Sequence, residues 1–295
     1  MPGDMANFYN ILVRGFDIWA RILQNLTSPW ASLYHELVTW RGLLEERMLF
    51  PESSVASHAA LQQAEPFAYL NLVFYVSLLF LNREYLPFLP TTCDRPSGPI
   101  DPPLLPPDAP EEWWHDRAVE LFTSAASITN LMKDLDDADA SLHTPFPGFC
   151  VFSAVTTNLY RSALPWMCPD TAQDNHLLIE RDLAWLDKFR KIWPVGECWW
   201  QTSQQCKRLY NHAAADLEGF WGRQRRDYDA LESSIHDCQL RRPSVDDGFD
   251  LVLETNLPQY RTSTHLEENM PCEANYTRDI QETMLQSYMG WGQLW

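Results

Sequence analysis

The sequence predicts an all-α fold: one large irregular helical domain over residues 1–242, followed by an acidic tail over 243–295. Three observations carry this. Apolar residues recur at spacings of three and four through every long segment before Leu240, the mark of helices that bury one face. No stretch sustains the strict alternation, rich in β-branched residues, that a half-buried strand needs. Hydrophobic residues make up 45% of the 295, enough for the interior of a chain that buries about three quarters of its unfolded surface.

In order along the chain, Trp30, Leu33, Leu37, Trp40 and Leu44 form the first buried stripe. Phe67–Leu81 follows, where only Asn71 and Ser77 are polar, so no face is left for water and the helix belongs at the centre of the domain. A membrane span needs about 20 apolar residues, and this run is bounded by Glu65-Pro66 and Arg83-Glu84; no membrane partner is expected. Nine prolines between Leu86 and Glu111 exclude helix and predict a stiff, extended strap within the domain. Asp108-Ala109-Pro110-Glu111 reads as a capping box with proline in the first turn. It opens a helix with Trp114, Ala118, Leu121, Ala125, Ile128, Met132 and Leu135 on one stripe, and the small Ala118 and Ala125 admit a close neighbour, expected to be the Phe67 helix.

Three more stripes follow: Phe152, Val155, Leu159 and Ala163; then Ile179, Leu183, Leu186, Phe189 and Trp193; then Cys206, Tyr210, Ala213, Leu217 and Phe220. These seams last two or three heptads, which suits packing inside one domain better than a coiled coil. Past Pro243 the periodicity fades, and residues 243–295 carry nine Asp or Glu against Arg261 and Arg278. A poorly ordered acidic tail is expected there. Its Phe249, Leu251, Leu253, Leu257 and Tyr260 have the composition of an activation segment and equally that of a solvated tail that does not fold.

Charge narrows the chemistry. A formal net charge of −18 and a pI near 4.7 have the wrong sign for gripping phosphate backbones, so no direct nucleic-acid binding is expected. Arg223, Arg225, Arg226, Arg241 and Arg242 are the basic clusters, with Asp227 and Asp229 among them; they read as a charged helix face, or as a nuclear import signal. Seven cysteines, with no C-x-x-C and no zinc spacing, read as reduced thiols in an intracellular compartment. The start, Met1-Pro2-Gly3-Asp4, opens no signal peptide, and the sequons at Asn25 and Asn275 are taken as chance.

Asp134, Asp136, Asp137 and Asp139 form the densest carboxylate cluster, which raises magnesium-diphosphate chemistry of the terpene-synthase kind. The second metal motif is missing, because Asn158 and Ser162 are followed by Trp166 where a carboxylate is required. An EF-hand register from Asp134 puts Asp139 at the glycine position and Pro145 at the bidentate Glu. A solvated helix end is the expectation. The eight histidines include no H-E-x-x-H, His115-Asp116 are sequence neighbours that point apart on a helix, and there is neither a G-x-S-x-G elbow nor a phosphate-cradling glycine loop. No catalytic, cofactor-binding or metal residues are assigned, and no cofactor is expected.

Several motifs go further. Leu81-Asn82-Arg83-Glu84-Tyr85-Leu86-Pro87 is preceded by Gly15-Phe16-Asp17-Ile18-Trp19, Pro29-Trp30 and Trp40-Arg41-Gly42-Leu43-Leu44. It is followed by Pro96-Ser97-Gly98-Pro99, Trp113-Trp114 and Thr144-Pro145-Phe146-Pro147-Gly148-Phe149. In this order, over residues 11–240, they resemble the regulatory (middle homology) domain of fungal zinc-cluster transcription factors of the xylanolytic-activator type. The resemblance implies transcriptional regulation in the nucleus, with the transcriptional machinery or another transcription-factor subunit as partner, and room for a small-molecule inducer. Family members bind DNA through six closely spaced cysteines holding two zinc ions. No such cluster is present, so zinc and DNA binding are carried over to no residue, and the chain is expected to be a truncated member, a fragment, or a regulator acting through a partner.

The expected mechanism is contact within the chain or with a partner that masks or releases an activating segment. The motif residues are expected to be structural: an Arg83–Glu84 capping ion pair, Tyr85 and Leu86 packed, Pro87 ending the helix, and Gly148 at a turn with positive φ. Two other classes remain. A helical sensor could hold an apolar metabolite among the 13 tryptophans; a metal-dependent terpene-synthase-like enzyme would use the aspartate cluster.

Overall fold

The computed structural model describes residues 2–24, 30–83, 85–86, 95–96, 109–167 and 175–215. Its long elements are α-helices: α1 (Pro2–Gln24), α2 (Trp30–Gly42), the short α3 (Val55–Ala60), α4 (Ala64–Arg83), α5 (Glu111–Asp137), α6 (Phe146–Ala163), α7 (Asn175–Phe189) and α8 (Val195–Ala215). Single 3-10 turns lie at Glu46–Met48 and Pro165–Met167, and no strand occurs among the described residues. The fold is all-α. Most of the proline strap, the arginines at 223–242 and the acidic tail lie outside the described residues.

α4 sits where its sequence puts it. It packs most extensively on α5, and also meets α1, α2, α3 and α6. On membrane crossing the structure differs from the sequence expectation. By length and composition this helix is long and apolar enough to cross a bilayer, and run length alone does not exclude it. In this structure 78% of its most apolar stretch is buried inside the protein, as in the core helix of a folded domain.

The predicted α5 stripe is buried throughout, with Ala118, Ala125 and Ile128 fully enclosed. The start of α5 differs from expectation. Pro110 is the N-cap, with no side-chain cap bond, rather than a first-turn residue, and Asp108 lies outside the described residues. At the other end Asp139 takes φ of 53°, its N–H donates to Asp136 O at 3.1 Å, and Ala140 N–H donates to Leu135 O at 2.9 Å. Together these bonds form a Schellman stop. A left-handed conformation costs a residue with a Cβ about 1–2 kcal/mol, and a carboxylate opposes the negative end of the helix dipole. Asp139→Gly is therefore expected to raise stability by about 1 kcal/mol, read as a higher denaturant midpoint.

A second fully enclosed helix was not foreseen. Sequence periodicity assigned α6 one stripe, yet nearly every residue from Phe146 to Arg161 is buried. Its polar residues turn their hydroxyls onto their own backbone: Ser153 donates to Phe149 O at 2.9 Å, and Thr157 donates to Ser153 O at 2.9 Å. Side chains satisfied one turn back need no water. α5, α7 and α8 cover this helix, with α4 touching it on the remaining side. α7 ends at Phe189 rather than continuing to Trp193, and its predicted stripe residue Leu183 is only half-buried. Of the α8 stripe, Cys206, Tyr210 and Ala213 are buried, and Leu217 and Phe220 lie outside the described residues.

Glycines set two close approaches. A Cβ on Gly15 would stand 2.5 Å from the Trp40 ring, so α1 and α2 meet there, and Trp40 Nε1–H donates to Ile11 O at 2.9 Å. Gly148 lies inside α6 with no positive φ, contrary to expectation. What demands glycine there is space: a Cβ would stand 2.4 Å from the Phe189 ring.

Candidate functional site

The motifs that are scattered in sequence converge in two aromatic clusters. Tyr85 lies 5.1 Å from Trp113 and 6.0 Å from Trp114 between ring centroids, and Trp30 lies 5.4 Å from Trp113. Arg117 extends into this cluster, its guanidinium 4.6 Å from the Trp30 ring and 5.1 Å from that of Tyr34. In the second cluster Phe146 lies 5.1 Å from Phe16 and 5.3 Å from Trp19, while the Tyr69 and Thr144 hydroxyls share a 2.7 Å bond. Edge-to-face pairs of this kind add about 0.5–1.5 kcal/mol beyond area burial. The tryptophans here face one another and neighbouring rings. Arg83 sits 4.0 Å from the Phe80 ring, and its expected partner Glu84 lies outside the described residues.

Polar groups in the interior gather in three sets. At the α2–α4 junction Asn71 Oδ1 accepts from Arg41 Nη1 at 2.7 Å and from Phe50 N–H at 2.9 Å. Burial lowers the Arg41 pKa, and its guanidinium lies 4.4 Å from the Phe74 ring. At the end of α4, Glu120 accepts from Arg117 Nη1 at 2.7 Å, Asn82 Nδ2 at 2.7 Å and the Tyr34 hydroxyl at 2.8 Å. Burial, then Glu120, raises the Tyr34 pKa. The third set joins α5, α6 and α7: Asp182 Oδ2 accepts from Thr129 Oγ1 at 2.9 Å and from Asn158 Nδ2 at 3.2 Å.

The first two sets tie elements together. The carboxylates singled out from sequence are helix-end groups: Lys133 meets Asp134 at 3.3 Å and Asp137 at 2.6 Å, and Lys188 of α7 reaches Asp136 at 3.3 Å. Among the described residues no three His, Cys, Asp or Glu side chains gather where a cation would sit. Cys150 and Cys206 are free and buried, and burial holds their thiols protonated, Cys206 pushed up to about 12. Nucleophilic chemistry requires the thiolate, which burial disfavours.

Sequence reading gave no buried role to Asp182, Thr129, Asn158 or Glu120. For three of them a signal existed. Asp182 lies three residues after Ile179 and four before Leu186, Thr129 four after Ala125, and Asn158 three after Val155. A polar residue at a stripe position is a buried one that needs a partner.

The chain is similar to the Zn(2)-C6 fungal-type transcription factor FTF2 of Fusarium oxysporum f. sp. lycopersici, 20% identical over 199 residues, which is 62% of this chain. The chain spans 17% of that protein's length. No family model and no solved structure matches. At this identity and coverage the match is a distant likeness over part of each protein.

Proposed function

We propose that this chain is the helical regulatory domain of a fungal zinc-cluster transcription factor and works in the nucleus by contact with protein partners. The similarity to a Zn(2)-C6 fungal-type transcription factor carries the reading. The convergence of the motifs supports it, because Tyr85, Trp30 and Trp113 from three distant segments meet around one helix end. Partners are the transcriptional machinery or another transcription-factor subunit. The negative charge argues against DNA as the ligand of this chain.

Regulation then works by masking or releasing an activating segment, with residues 243–295 as one source of acidic and aromatic contacts. The test is a fusion of the full chain to a heterologous DNA-binding domain in a fungal host with a reporter gene. Reporter output several-fold above or below that of the DNA-binding domain alone is expected. Output equal to that control, with the fusion present in the nucleus, would remove the reading.

A further inference from the structure

One buried carboxyl holds α7 against α5 and α6. Asp182 is 2% exposed, and two neutral groups, Thr129 and Asn158, supply its hydrogen bonds. Asn158 Oδ1 is enclosed with no partner, so the cluster contains an oxygen with no proton to accept beside a carboxyl. Two neutral donors do not replace the hydration of a carboxylate taken out of water.

Charged groups on the packed elements have contacts of their own. On α5, Lys133 pairs with Asp134 and Asp137, and Asp136 with Lys188 of α7. On α6, Arg161 lies with its guanidinium 6.0 Å from the Phe122 ring. On α8, Glu197 meets Arg190 at 2.8 Å. Arg181, exposed at the adjoining position, is the charge that acts on Asp182, and desolvation outweighs it, pushing the carboxyl up to about 8.

Proton positions follow from the same geometry. Protonated, the carboxyl gives its O–H to Thr129 Oγ1, whose own hydroxyl turns to Ala125 O at 3.2 Å. Ionised, it needs that hydroxyl back and leaves a charge in an apolar enclosure. We propose that Asp182 is a proton-operated latch, docking α7 on α5 and α6 while neutral and loosening that helix when it ionises, with the α4–α5 core left in place. This is independent of the transcriptional reading.

The sign follows from proton counting. The ordinary carboxyl value is 3.8 and the docked value about 8, so between them the docked form holds a proton that the released form gives up. Docking therefore weakens as pH rises through that window, by up to about tenfold per pH unit, and levels off above it.

The test compares hydrogen-exchange protection of the full chain and its Asp182→Asn variant from about pH 6 to 9, a range that spans the docked value, with rates normalised for base catalysis. Expected is a fall in protection across residues 175–189 in the parent, with that of α4 unchanged, and no fall in the variant. An equal fall in both proteins, no fall in the parent, or an equal loss in α4 would overturn it. Should the variant not fold, infrared difference spectra of the parent decide. A protonated-carboxyl band at the acid end that vanishes on alkaline titration supports the latch, and its absence overturns it.

Discussion

Gly148→Val is expected to cost at least about 3 kcal/mol, the upper range for overpacking and a large share of a total near 5–15. The Cβ alone would stand 2.4 and 2.5 Å from the Phe189 Cζ and Cε1 atoms. The ring has nowhere to go. Gly196 approaches it from α8, where a Cβ would lie 2.6 Å from Phe189 Cδ1, and Trp185 and Trp199 stack on it at 5.2 and 5.8 Å. Two glycines from two helices thus admit one phenylalanine from a third, and the α6–α7–α8 half depends on that fit.

Denaturant unfolding checks this, and a double substitution identifies the cause. Phe189→Ala alone should cost about 3–5 kcal/mol through the cavity it leaves. Combined with Gly148→Val it should cost less than the sum, because the valine fills space the ring has vacated. Gly148→Asn separates the steric account from one based on left-handed backbone: asparagine tolerates positive φ, yet here should be as harmful as any residue with a Cβ. An unchanged midpoint for Gly148→Val would show that the close approach is not a constraint.

Much of the architecture was legible because helical periodicity reports burial directly. The α5 stripe from Trp114 to Leu135 is buried as its spacing predicts, and α4 occupies the centre because it has no polar face. α6 was half legible. Its apolar stripe was evident, but periodicity assigned nothing to Ser153, Thr156 and Thr157, whose burial rests on the backbone bonds of their hydroxyls. Gly148 was recognised as a required glycine for the wrong reason, since a neighbouring helix leaves no trace in local sequence. Asp182 stayed hidden because a carboxylate is ordinarily assigned to the solvent side, and its partners lie 53 and 24 residues away. The aspartate cluster lies at a helix end, where the Schellman stop with Asp139 gives the geometry.

The second large effect is at Asn71, where hydrophobic patterning and hydrogen bonding predict opposite outcomes. Leucine there would complete the apolar surface of α4 and raise helix propensity, so pattern alone predicts a gain of about 1 kcal/mol. The geometry predicts a loss. Besides the Arg41 and Phe50 N–H bonds to Oδ1, Asn71 Nδ2 donates to Met48 O at 3.0 Å and to Phe67 O at 2.8 Å. Leucine would strand a guanidinium, an N–H and a carbonyl between α2 and α4, each at about 1–3 kcal/mol. Arg41 Nη2 also donates to Phe50 O at 3.2 Å, and the Tyr75 hydroxyl donates to that same carbonyl, so the loop after α2 is fastened to α4 by Asn71 together with Tyr75. Asn71→Leu is therefore expected to lower stability by about 3–4 kcal/mol in denaturant unfolding and to open residues 45–54 to limited proteolysis. Asn71→Asp keeps the acceptor and adds charge opposite Arg41 but loses both donors, so it should fall between the leucine variant and the parent. Should the leucine variant match the parent in midpoint and protease resistance, the apolar character of α4 would alone suffice to place the loop.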